Sequence, residues 1–175
     1  PHGVAPAQDR SMIERELRAH LCASLQEMPS FVEAALAQLP SEMLTRVPDC
    51  DRSPLLEHAW HLRDCDEDLY AMRIRRAVAE DEPFLEPMDI SHWVEQRSYM
   101  SRPVGDALAQ FREGRTRLVA QVSEFSQEQL LRLAKRGDGC FSTVVALIGE
   151  LVAHDQDHRH RISAILASYA ARGEA

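Results

Sequence analysis

Ala153-His154-Asp155-Gln156-Asp157-His158 lies inside a long stretch whose apolar residues recur at helical spacing. At about 100° per residue, Leu147, Ile148, Leu151, Ile162, Ile165, Leu166 and Tyr169 fall on one stripe of a helix, and His154 and His158 fall inside that stripe. Two imidazoles one turn apart therefore face a core. A lone core histidine is commonly a hydrogen-bonded structural residue. A pair at i and i+4 differs, because both rings can point at one centre and burying both among aliphatics is costly unless something satisfies them. A divalent metal ion does so, provided another segment supplies a third ligand.

That segment is sought upstream. Ser53-Pro54 is a helix start signal, a capping serine followed by a proline at the first helical position. From Leu55 the chain is expected to run as one long helix to about Val78, with Leu55, Leu62, Cys65, Leu69 and Met72 on its apolar face. Two histidines accompany that face, His58 nearer its centre and His61 nearer its edge. Periodicity leaves both open as the third ligand.

Two further long helices complete the pattern. Residues 1–10 read as a flexible lead-in and residues 11–175 as a single domain. Ser11 with Glu14 forms a capping-box signature ahead of Ile13, Leu17, Leu21 and Leu25. Pro29 should break or kink that helix, although the spacing resumes to Pro40. Another helix opens at Pro103 and runs to Phe125. Ser126 and Gln129 cap a short helix carrying Leu130, Leu131 and Leu133, which ends at Gly137-Asp138-Gly139, and Ser142 can cap the last helix. The connection from Glu80 to Pro103 is long, with Ser91 placed to cap a short helix through Tyr99. Its Trp93 and Tyr99 suggest either a flap over one end of the bundle or anchors for the crossover. Four long helices, no strand pattern and one long crossover between the second and third give an all-α four-helix bundle.

Composition narrows the function. The 175 residues, 45% hydrophobic, suffice for one well-buried core and are short for two. A net charge of −8 with scattered Lys and Arg offers no basic stripe, which argues against nucleic acid as a partner. No run of about 18 apolar residues is available to cross a membrane. The opening Pro1-His2-Gly3-Val4-Ala5-Pro6 lacks the flanks of a secretory signal, so a cytoplasmic setting is expected. Cys22, Cys50, Cys65 and Cys140 make no Cys-x-x-Cys pair and read as reduced thiols, mostly core filler. Cys65, one turn beyond His61, is an alternative fourth ligand.

His61-Leu62-Arg63-Asp64-Cys65-Asp66 followed by Tyr70 and Arg73, then Glu80-Asp81-Glu82-Pro83, Trp93 and His154-Asp155-Gln156-Asp157-His158, resembles the DinB-like (DinB/YfiT) superfamily of metalloenzymes. The similarity spans roughly residues 50 to 165, and the terminal His-Asp-x-Asp-His is its most specific part. The resemblance implies an up-down-down-up bundle, a homodimer, and a divalent ion, nickel or zinc first, then manganese or iron. It carries the ligands onto His61, His154 and His158. His58 and Asp155 stand as residues behind them, Asp155 through an imidazole N–H or an inter-helix contact. The resemblance further implies a small-molecule substrate and a transferase or hydrolase reaction that uses a low-molecular-weight thiol. The alternative is a non-catalytic, metal-binding or stress-response dimeric bundle. Asp66 stands where many relatives carry glutamate, and the segment from Gly137 to Thr143 does not match the family pattern.

Overall fold

A computed structural model describes residues 7–174, with the side chains of Met12 and of Arg15 onward. The pairing expected of Ser11 and Glu14, and the packing expected of Ile13, lie outside the described residues. Thirteen elements follow in chain order. They are α1 (Ala7–Leu36), α2 (Ser41–Leu44), α3 (Leu55–Asp64), a π-helical segment (Cys65–Ala71), α4 (Met72–Ala79), β1 (Phe84–Leu85), α5 (Trp93–Gln96), a 3-10 turn (Tyr99–Ser101), α6 (Val104–Glu124), α7 (Gln127–Leu131), β2 (Leu133–Arg136), β3 (Phe141–Thr143) and α8 (Val144–Ala171).

The second long helix is α3, the π segment and α4 joined end to end. With α1, α6 and α8 it forms a four-helix bundle in which α1 and the α3–α4 helix each pack against both α6 and α8. Pairings fix the directions. Arg18, Leu25 and Glu33 of α1 meet Phe125, Arg115 and Arg112, so α1 and α6 are antiparallel. His58 and His61 of α3 meet His158 and His154, so α3 and α8 are antiparallel too. Glu27 reaches Arg159, and α1 runs with α8. The result is up-down-down-up. Since α4 and α6 follow one another while pointing the same way, the chain must return the length of the bundle between them, which is why residues 80–103 form a long crossover.

Pro29 does not break α1. It lacks the N–H that would bond to the Leu25 carbonyl four residues earlier, and that carbonyl instead accepts from Arg115 Nη1 at 2.8 Å. The π segment was not foreseen. Each i→i+5 turn takes in an extra residue, so the face expected from a 3.6 period drifts: Met72 is half-buried, while Ile74 and Ala77 are buried instead. Leu17, expected on the core stripe of α1, is 47% exposed.

Several local expectations are corrected. Pro54 itself is the N-cap of α3, and Ser53 donates its hydroxyl to Glu57 Oε1 at 2.6 Å rather than capping. Ser126 and Gln129 do form a capping box. Leu133, however, belongs to a strand: β2 pairs antiparallel with β3 and parallel with β1, a small sheet the sequence pattern had not shown. Its strands are two to four residues long, too short for alternation to be read. Thr143, not Ser142, caps α8 by accepting from the Ala146 N–H. Ser91 bonds to Asp89 and caps nothing. Trp93 and Tyr99 are buried, with the Tyr99 hydroxyl donating to Asp64 Oδ2 at 2.8 Å and Arg97 stacked over Trp93, so they anchor the crossover to α3. Of the cysteines only Cys65 is buried; Cys50 and Cys140 are exposed and Cys22 is half-buried.

Candidate metal centre

The antiparallel pairing of α3 and α8 brings one ring nitrogen each from His61, His154 and His158 within 4.8 Å of one another. His61 Nε2 lies 3.3 Å from His154 Nε2, and the His61 ring stacks at 4.9 Å from that of His158. His154 and His158 are one helical turn apart with ring centroids 4.6 Å from each other. His158 is buried, and the other two are half-buried.

His58 stands behind this cluster. Its Nδ1 is 2.9 Å from His158 Nδ1, and its Nε2 is 3.7 Å from Asp51 Oδ2. Asp51 accepts from Nε and Nη2 of Arg161, at 2.7 and 2.6 Å. The contact between the two Nδ1 atoms is the kind of outer support that fixes a ring's orientation, whereas His58 Nε2 is buried and makes no hydrogen bond, not even to Asp51. Asp51 sits in the loop before α3, and nothing local in the sequence marked it.

Asp155 makes an inter-helix contact and not an imidazole bond. Its two oxygens accept from Arg115 Nη1 and Nη2 at 2.5 and 3.1 Å, while Arg115 Nε donates to Asp66 Oδ1 at 2.9 Å. All three residues are buried. One guanidinium shared by two carboxylates leaves one negative charge in excess, and burial raises the pKa of both acids despite the cation between them. Arg115 therefore ties α1, the π segment, α6 and α8 together directly beneath the histidines. Sequence reading missed it, because one arginine within a polar helix face carries no signal of burial.

Burial, reinforced by nearby charges, moves the pKa of His58, His61 and His154 down to about 4. His158 is lowered further, by burial and then by the other three imidazoles. All four rings are neutral at pH 7, the protonation state that coordinates metal. His154 Nδ1 is buried with no hydrogen-bond partner, so its ring does not sit in a saturated polar network, as a histidine serving packing alone should. Three neutral imidazoles converging on one point match the donor set of a divalent transition ion. Cys65 Sγ lies 3.4 Å from His61 Nε2, with its thiol pushed up to about 12 by burial and then by Asp64.

A cleft adjoins the cluster. It is small, about 90 Å³, and is lined by Glu57, His58, His61, His158 and Arg161. On the other side, Tyr70 stands against His154 with ring centroids 5.5 Å apart. Glu150 is paired with Arg136, and Asp157 and His160 are exposed.

A family model, that of the DinB superfamily, matches residues 24–162. The chain belongs to the DinB superfamily. That match contains His61, His154 and His158, and with them Arg115 and the whole of the π segment. The DinB fold is confirmed by a solved structure, YfiT from Bacillus subtilis, which is described as a probable metal-dependent hydrolase with an unusual four-helix bundle topology. The two chains superpose with a TM-score of 0.79 at 19% identity, covering 100% of this chain and 94% of YfiT. No curated protein matches the sequence.

Proposed function

We propose that this DinB-superfamily protein is a divalent-metal-dependent enzyme acting on a small molecule, with His61, His154 and His158 as the metal ligands. The observation that carries the reading is the convergence of three neutral histidine nitrogens, from two helices, within 4.8 Å. A three-histidine set leaves coordination positions open to water or substrate, which separates a catalytic site from a closed structural one. When bound, such an ion supplies a Lewis acid and a nucleophile from water or a thiol near neutral pH. The chain's own residues do the rest: His58 holds the His158 ring, and Arg115 fixes the α8 turn that carries both histidines. The small cleft beside His61 and His158 gives water-sized access.

Hydrolysis, as YfiT's description suggests for that protein, and transfer to a low-molecular-weight thiol both suit this arrangement. Nickel and zinc are among the ions that imidazole donors suit. The test is elemental analysis of wild type, His61→Ala, His58→Ala and the double variant His154→Ala/His158→Ala. About one divalent ion per chain is expected in wild type, lost with His61 or the pair and recovered at saturating metal in His58→Ala. No metal in wild type after reconstitution overturns the reading.

The proximity of Cys65 to His61 supports a second reading, a structural ion closed by a thiolate as fourth ligand. It predicts that Cys65→Ala weakens metal retention as much as His61→Ala. The catalytic reading expects Cys65→Ala to keep its metal.

A further inference from the structure

A cleft of about 360 Å³ lies beyond the histidine cluster, lined among others by Arg73, Leu85, Pro87, Arg136, Asp138 and Leu147. Its wall exists only because β1 pairs with β2, with Leu85 opposite Arg136, and because the hairpin turn closes tightly on the crossover. A Cβ at Gly137 would come within 2.3 Å of Pro87.

The two arginines in this cleft are not equally satisfied. Arg136 donates to Glu150 at 2.5 Å and to Ser142 at 3.1 Å. Arg73 has no carboxylate partner among the described residues. Its Nη2 donates to the backbone carbonyl of Glu86 at 2.9 Å, and its Nε is buried with no partner. Asp138, the acid on the rim, is exposed and spends Oδ1 on the Cys140 N–H. Glu150, already paired with Arg136, is the nearby carboxylate whose charge reaches Arg73, so this half-buried guanidinium beside a second cation has a donor left over and no acid of its own in ion-pair contact.

The cleft is connected to the metal centre along two helices. Leu147 in its wall precedes His154 by seven residues, about 10 Å along α8. Tyr70, one turn before Arg73, stands against the His154 ring. Its hydroxyl has no hydrogen-bond partner among the described residues.

We propose that this cleft binds the anionic group, a carboxylate or a phosphate, of a small-molecule ligand, with Arg73 as the principal cation and Arg136 as the second. For its catalytic meaning this rests on the metal-centred reading, in which the anion fixes one end of the substrate while the other reaches the histidines past Tyr70.

The test is an NMR titration of the 15N-labelled chain with inorganic phosphate and, separately, succinate, on wild type, Arg73→Gln, Arg73→Lys and His61→Ala. The expected result is saturable shifts of the Gly137–Cys140 amides in the millimolar range, from either anion, the preferred one naming the source. Arg73→Gln weakens binding about tenfold or more, as removal of a charge-assisted bond does, and Arg73→Lys restores part of it. His61→Ala binds like wild type, since the cleft contains no histidine, so a failed metal reading leaves this result standing. Shifts that do not saturate, or that Arg73→Gln leaves unchanged, overturn the proposal even if the metal is present.

Discussion

Arg115 Nη1 donates to the Leu25 carbonyl at 2.8 Å, and that carbonyl is free because Pro29 stands where its helical partner N–H belongs. A proline in the middle of a helix and a charge in the middle of a bundle, each costly alone, satisfy one another's consequences. The same Nη1 also donates to one oxygen of Asp155, Nη2 to the other and Nε to Asp66, and Asp155 is one residue from His154.

Arg115→Met should therefore be among the most destabilising single changes, since it strands two buried carboxylates. A loss of about 3–5 kcal/mol is expected, read from urea unfolding at pH 7. Because burial raises the pKa of Asp66 and Asp155, the variant should recover part of its stability on mild acidification. A loss below about 1 kcal/mol, the range of surface pairs, would show that the triad is relaxed in solution.

His58→Ala removes the support of His158 without removing a ligand. Metal affinity should fall about 10- to 100-fold, as is usual when such outer partners are lost, while full occupancy returns at saturating metal. Competition with a chromophoric chelator measures this. An unchanged affinity would make the 2.9 Å contact between His58 and His158 a matter of packing.

Stability of the metal-free protein should fall as pH is lowered from 6.5 toward 4. An unfolded histidine takes up its proton near pH 6.5, whereas folded His58, His61 and His154 do so only near pH 4. In that window the unfolded chain holds more protons, so unfolding free energy rises with pH. Each histidine contributes on the order of 1–2 kcal/mol between pH 7 and 5. Asp66, raised to about 6 by burial and then by Asp155 against the pull of Arg115, works in the opposite direction and offsets about one of them. Urea titrations with chelator at the two pH values check the sign, and a flat profile would mean that the rings are solvated.

Gly137→Ala tests the seam between the hairpin and the crossover. The added methyl meets Pro87 Cγ at 2.3 Å, and overpacking of this kind costs about 1–3 kcal/mol. Pro87→Ala should relieve the clash, so the double variant should be less destabilised than the single changes sum to. Additive losses would show that the two loops do not touch.

The sequence by itself determined the four long helices, the crossover and the placing of His154 and His158 on a buried face, because the 3.6-residue period is a local property and the two histidines obey it. It also kept His58 and His61 both in view as partners, and the family resemblance chose His61. Only the tertiary structure decided the rest. The π segment shifts the buried face of the α3–α4 helix by an amount that a fixed period cannot express. Strands of two to four residues are defined by their neighbours and not by alternation, so the sheet appears only when the crossover meets the hairpin. Asp51 and Arg115 look like solvated surface charges in sequence, and Arg73, although part of the family-like motif, shows there neither its half-burial nor its partners. Which charges are buried, and against which partners, depends on contacts between residues as many as 110 positions apart, and pairing of that kind leaves no periodic trace along the chain.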